Sequence, residues 1–165
     1  MGVTDDTAAK RRRIPTPEEE AKAGLYLDAD GSLYLPSEGF WACGLAGAKG
    51  HKMGKYTAPA VFSSYVSCCE PRTPLVDPDT EEPLLVDYQI DTRRAIVQRQ
   101  GILRSRPRFE RWGAIVKFEF DPTRIADKVI IDFLKIGGSL SGVGDFRPAK
   151  KGGFGKFMPV KAWLP

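Results

Sequence analysis

Ile136-Gly-Gly-Ser-Leu-Ser-Gly-Val-Gly-Asp-Phe-Arg-Pro-Ala-Lys-Lys-Gly-Gly-Phe-Gly-Lys-Phe157 sets seven glycines among Arg147, Lys150, Lys151, Lys156 and three phenylalanines. Glycine lets a backbone take positive φ and approach another backbone or a ligand closely, and here cations and stackable rings surround it. That mixture suits a phosphate chain better than a small neutral substrate. Just upstream, Phe120-Asp-Pro-Thr-Arg124 ends a strand and opens a helix. Asp121 or Thr123 can cap it, and Ile125, Val129, Ile130, Phe133 and Leu134 fall at helical spacing. Gly137-Gly138 is expected to stop that helix, and Phe157 to Trp163 reads as a closing strand.

Working outward, residues 24–36 read as two short strands around an Asp-Gly turn. Ser37 is the expected N-cap of a helix to about Lys49, with Phe40, Trp41, Leu45 and Ala48 on one face. Ala60 to Cys69 reads as a buried strand and Pro71 to Pro83 as a long acidic hairpin loop or strand extension rich in breakers. Leu84 to Ile90, Arg94 to Leu103 and Trp112 to Phe120 alternate as three further strands, with Arg104 to Arg111 as an extended linker. Residues 1–23 hold few apolar groups, carry Arg11-Arg12-Arg13 and Glu18-Glu19-Glu20, and read as a flexible tail with a short helix from Pro17. One domain, 24–165, is expected after it, of the α+β class.

The chain has 165 residues and a net charge of +4, and the charge is polarised along it. Arg93, Arg94, Arg99, Arg104, Arg106, Arg108 and Arg111 crowd residues 92–112 against Glu110 alone, whereas residues 70–91 carry seven acids against Arg72. No apolar run reaches the roughly 20 residues that span a bilayer, and the polar N-terminus is unlike a signal peptide, so a cytoplasmic location and no membrane partner are expected. Three cysteines, Cys43, Cys68 and Cys69, without CxxC spacing and with one histidine, His51, suggest buried thiols rather than disulfides or zinc.

Neither a dinucleotide fingerprint nor a P-loop is present: Arg147 occupies the third glycine position of the segment from Gly142, and no Lys-Ser or Lys-Thr pair follows. No cofactor or metal is expected; Asp28, Asp30 and Asp145 show no spacing that demands one.

Three segments together resemble the RAMP superfamily of CRISPR-associated proteins: the strand into Tyr34-Leu-Pro-Ser-Glu-Gly39 and its small-residue helix, the basic segment entering the strand of Arg104 to Phe120, and the terminal helix leading into Gly142-Val143-Gly144 and Gly153-Phe154-Gly155. The likeness is nearer to the crRNA-backbone branch than to the repeat-cleaving branch, and extends to stand-alone tailed-phage gene products. It implies a ferredoxin-like, RNA-recognition-type antiparallel sheet with two helices, and a glycine-rich loop that touches RNA. It also implies self-association along a strand or a larger ribonucleoprotein. The acidic 70–91 stretch would have to serve as the inserted finger of that family.

From the residues themselves, loop N–H groups with Arg147, Lys150, Lys151 and Lys156 can follow phosphates while Phe146 or Phe154 stacks on an unpaired base. A competing structural reading makes Gly142, Gly144, Gly153 and Gly155 turn and bulge positions that shape a sheet edge. On alternating strand positions Arg104, Arg106 and Arg108 would share a face and fork onto successive phosphates, with Arg111 beyond them; a solvated edge is the plain alternative. Lys49, His51 and Lys52 are expected phosphate contacts. The resulting expectation is a non-catalytic protein that binds single-stranded nucleic acid, RNA before DNA. Two alternatives stand beside it: an assembly or inhibitor protein whose acidic stretch mimics nucleic acid, and a metal-independent endoribonuclease with His51 as general base.

Overall fold

The computed structural model describes residues 13–164 of the chain. Its elements follow in the order α1 (Pro17–Ala23), β1 (Tyr34–Pro36), α2 (Ser37–Ala48), β2 (Lys52–Met53), β3 (Tyr56–Thr57), α3 (Ala58–Tyr65), β4 (Val66–Cys68), β5 (Arg72–Val76), β6 (Gln89–Val97), β7 (Gln100–Arg108), β8 (Gly113–Ala114), β9 (Phe118–Phe120) and α4 (Asp127–Leu140), with a 3₁₀ turn at Pro148–Lys150. All strand pairs are antiparallel, and the class is α+β as expected. They fall into two compact units: one of residues 26–86 and 111–164, the other of residues 13–25 and 87–110.

The larger unit is built on helices α2, α3 and α4. Ile130, Phe133, Leu134, Gly137 and Gly138 form the buried stripe of α4 at the i, i+3, i+4, i+7, i+8 spacing of an amphipathic helix. They pack with Ala48, Ala58, Val61, Phe62, Val66 and Ile125 in one core cluster, while Phe40, Cys43 and Val143 form a second. Full burial of rings such as Phe40 and Phe62 contributes about 1.5–3 kcal/mol each.

Gly137-Gly138 does not end α4, contrary to the sequence expectation; the helix runs two residues further, to Leu140. The pair instead lets backbones touch. A Cβ on Gly137 would collide with the Cys43 carbonyl oxygen, and one on Gly47 would collide with that of Phe133, so α2 and α4 cross with main chains in contact. Neither Asp121 nor Thr123 caps α4, whose N-cap is Ala126. Asp121 closes the preceding turn, accepting from the Thr123 N–H at 2.9 Å and its hydroxyl at 2.6 Å, which holds the Asp121 carboxyl below the usual range.

Ser37 is the first helical residue of α2 rather than its cap, and its buried hydroxyl lies 2.7 Å from that of Thr73, joining α2 to β5. The expected strand 60–69 is a correction. Thr57-Ala58-Pro59 opens α3 with proline in the first turn, where its missing N–H costs nothing, and Ala58, Val61 and Phe62 repeat at helical spacing. Only Val66–Cys68 is extended.

Strands β4 and β5 form an interrupted ladder with β9 and β8: Cys68 pairs with Phe118 and Leu75 with Ala114. Between β4 and β5 residues 69–71 bend, and Pro71 has no N–H to donate to a ladder. β1 lies against β5, giving the order β1-β5-β8, and the ferredoxin-like arrangement is not confirmed by these pairings. Residues Phe157–Leu164 are irregular rather than a closing strand. Of the thiols, Cys43 is buried, Cys68 half-buried and Cys69 exposed, which corrects the expectation for Cys69.

The smaller unit pairs α1 with the β6–β7 hairpin. Thr16 and Glu19 form a capping box at 3.2 and 2.9 Å, Pro17 follows, and three glutamates occupy the first turn, where the helix dipole favours them. The hairpin corrects the expected strand Arg94–Leu103, which straddles its turn: nine residues of β6 pair with nine of β7 from Gln89↔Arg108 to Val97↔Gln100. Residues 1–12, including Arg11 and Arg12 of the expected tail, lie outside the described residues.

Candidate nucleic-acid interface

The glycine-rich loop leaves α4 and doubles back on itself. Gly142 and Gly155 both sit at positive φ, 65° and 70°, and the amide of Val143, buried between them, donates to the Gly155 carbonyl at 2.9 Å. A Cβ on Gly155 would collide with the carbonyl of Val143. The Cys43 thiol, kept protonated by burial, donates to the Gly142 carbonyl at 3.2 Å and ties the loop to α2. The two glycine triplets are thus one interlocked unit, in which Gly142 and Gly155 are turn positions of the loop itself rather than of a sheet edge.

What the lock displays is cationic. The Arg147 guanidinium donates to the Gly144 carbonyl at 2.7 Å, and its carbonyl accepts from Lys150 and Gly152 at 2.8 and 2.9 Å. Lys150, Lys151 and Lys156 are exposed. Beside them Phe146 and Phe154 meet edge to face at 5.4 Å, with Phe146 36% exposed, and the Phe154 amide donates to the Phe146 carbonyl. Gly153 is exposed with open space around its Cα, and Gly144, at φ 83°, likewise. A fixed loop with cations and a half-exposed ring pair can take phosphates and one base face without first being ordered.

A second basic segment follows α2. Lys49, His51 and Lys52 are all exposed, as are Lys55 and Tyr56 of the tight β2–β3 hairpin, which turns at Gly54. His51 lies 5.6 Å from the Phe133 ring, its amide donates to Ala48, and its carbonyl accepts from Ala58. Among the described residues no three of His, Cys, Asp and Glu gather as a metal cradle.

The arginine row stands differently from its sequence reading. Arg104 and Arg106 do face together, but toward α1: Glu20 accepts from Arg104 at 2.9 Å and from the Ser105 N–H at 3.0 Å, with Arg106 at 3.6 Å. Those bonds hold the Glu20 carboxyl below the usual carboxylate range, the Arg104 hydrogen bond contributing most. Arg108 is 3.8 Å from Glu110, and Arg111, in the larger unit, bonds Asp79 at 2.7 Å. The row is therefore partly spent on structure. Sequence reasoning passed over the outer end of the hairpin, where Arg94 and Arg99 are exposed and make no ion pair among the described residues. Arg99 sits at the turn with Gln98, both at positive φ (65° and 49°) and neither a glycine, and the Arg94 guanidinium covers Gly101. Their sequence signals were the basic run itself and the alternating pattern on both sides of Gln98-Arg99.

The acidic 70–91 stretch is not an inserted finger. It contributes β5 and a turn in which Asp77 accepts from Asp79 and Thr80, and four of its acids are paired: Glu70 with Lys117, Asp79 with Arg111, Glu81 with Lys161 and Asp91 with Arg93. The segment inserted in the sequence between the two parts of the larger unit is the arginine-bearing β6–β7 hairpin instead. No family model, curated protein or solved structure matches the chain. No described helix is long and apolar enough to cross a membrane.

Proposed function

We propose that this chain binds single-stranded nucleic acid, RNA in preference to DNA, and performs no chemistry on it. The observation that carries the reading is the interlocked loop, which holds Lys150, Lys151 and Lys156 exposed beside the Phe146–Phe154 pair. Cations there release counterions from phosphates, and a ring face rewards only a base that is not already stacked. The preference for RNA rests on the resemblance to RAMP proteins, as does assembly along a strand.

The ferredoxin-like arrangement belongs to the same proposal. Support comes from α2 and α4, which follow β1 and β9 and pack against each other; the pairing of β1 with β5 is the departure. The docking or inhibitor alternative draws less support, because four of the seven acids that would mimic nucleic acid are paired within the chain. Binding of a fluorescent 20-nucleotide single strand is the test, against the same sequence as a duplex. The single strand should bind at least about tenfold more tightly, by the stacking contribution; equal affinity would count against the loop as a base-reading site.

A further inference from the structure

Among the described residues, Tyr56 is an exposed aromatic whose side chain nothing engages. Of the described aromatics with large exposure, Tyr26 packs on Tyr34, Tyr65 carries Arg124, Phe146 meets Phe154 and Trp163 carries Lys161. Tyr56, 69% exposed, has no ring, cation or hydrogen-bond partner on its side chain among the described residues. The sequence on either side of it is uniformly basic: between Glu38 and Glu70 the chain has no acid, only Lys49, Lys52, Lys55 and His51. None of these lysines makes an ion pair among the described residues.

The position is also held firmly. β2 and β3 pair Lys52 with Thr57 and Met53 with Tyr56, Gly54 turns between them at φ 61°, and the Ala58 amide donates to the His51 carbonyl at 3.0 Å. Met53, opposite Tyr56, packs against the main core cluster. A ring on a two-residue strand anchored in this way loses little freedom when a planar group settles on it.

We infer that the β2–β3 hairpin is a second contact for single-stranded nucleic acid, with Tyr56 stacking on an unpaired base and Lys49, Lys52 and Lys55 meeting the flanking phosphates. The inference rests on the function proposed above but uses residues distinct from the glycine-rich loop. It makes Tyr56 a base-face contact and assigns His51 to the phosphate path rather than to a reaction.

Fluorescence anisotropy with a labelled 20-nucleotide single-stranded RNA tests it, alongside an abasic strand of the same length. Tyr56→Ala should weaken binding of the base-bearing strand roughly tenfold and leave abasic binding unchanged, and Tyr56→Phe should stay within about twofold of wild type. An equal loss on both strands, or no loss in Tyr56→Ala while Lys150→Ala/Lys151→Ala/Lys156→Ala binds weakly, overturns the stacking role and leaves the loop reading intact. Wild type that binds neither strand ends both. Binding to vesicles of anionic phospholipid that Tyr56→Ala abolishes, without any effect on RNA, would reassign the hairpin to a lipid surface.

Discussion

The amide of Val143 donates to the carbonyl of Gly155 at 2.9 Å, and through this bond the two glycine triplets close on one another. Gly155 stands at φ 70° with the Val143 carbonyl against its Cα, whereas Gly144 stands at φ 83° with nothing near. Gly155→Ala should therefore combine the left-handed penalty of about 1–2 kcal/mol with a main-chain clash and lower the melting temperature well beyond Gly144→Ala, which meets the first term alone. Differential scanning calorimetry of the two variants decides it; equal shifts would mean that the loop is not locked.

The crossing of α2 and α4 makes a second stability test. Gly137→Ala puts a methyl into the Cys43 carbonyl, a contact with main chain that no side-chain rotation relieves. It should cost more than about 3 kcal/mol, against a gain of up to about 1 kcal/mol for alanine at an exposed helix site. A melting temperature near wild type would show that the helices do not meet there.

Glu20 predicts an acid limb. Its carboxyl is held below the usual range by Arg104 and the Ser105 N–H, so the folded pKa is lower than the unfolded one. The contribution is present above the unfolded value of about 4.3 and fades as pH falls through the folded pKa. Glu20→Gln should lower stability at pH 7 and leave the variants converging in acid, by denaturant melts at pH 7 and pH 3. A difference that persists at pH 3 would assign the loss to packing.

At the hairpin turn, Arg99→Gly should relieve a left-handed residue and stabilise the fold by about 1 kcal/mol, while Arg94→Ala and Arg99→Ala each reduce the salt slope of single-stranded RNA binding by about 0.7. Arg104→Ala should instead destabilise, since its partner Glu20 is left without its strongest bond. Binding changes confined to Arg104→Ala would restore the row itself as the contact.

What the sequence let one read follows burial. The stripe of α4 and the helix from Ser37 were legible because a single core face repeats at helical period along each. Residues 58–65 were not, since Val61, Phe62 and Tyr65 carry strand preference and only tertiary packing, with Phe62 against Gly44 and Trp41 of α2 and Phe133 of α4, overrides it. The hairpin turn was hidden because Gln98-Arg99 takes positive φ without the glycine or asparagine that announces it. Gly137-Gly138 read as a stop because a helix-interior glycine signals a close crossing only once the partner is known. In the site, the loop cations were visible as charge, whereas the partial commitment of Arg104 and Arg106 to Glu20 and the isolation of Tyr56 depend on contacts distant in sequence.

The most direct measurement is the affinity for a labelled single-stranded RNA as sodium chloride rises from 50 to about 300 mM, for wild type and for Lys150→Ala/Lys151→Ala/Lys156→Ala. Each lost phosphate contact removes roughly 0.7 from the slope of log K against log salt for a single strand. Wild type should bind with a steep slope, and the triple variant should bind more weakly with a slope shallower by about 2 and an unchanged melting temperature. Wild-type affinity and slope retained in the triple variant would contradict the account.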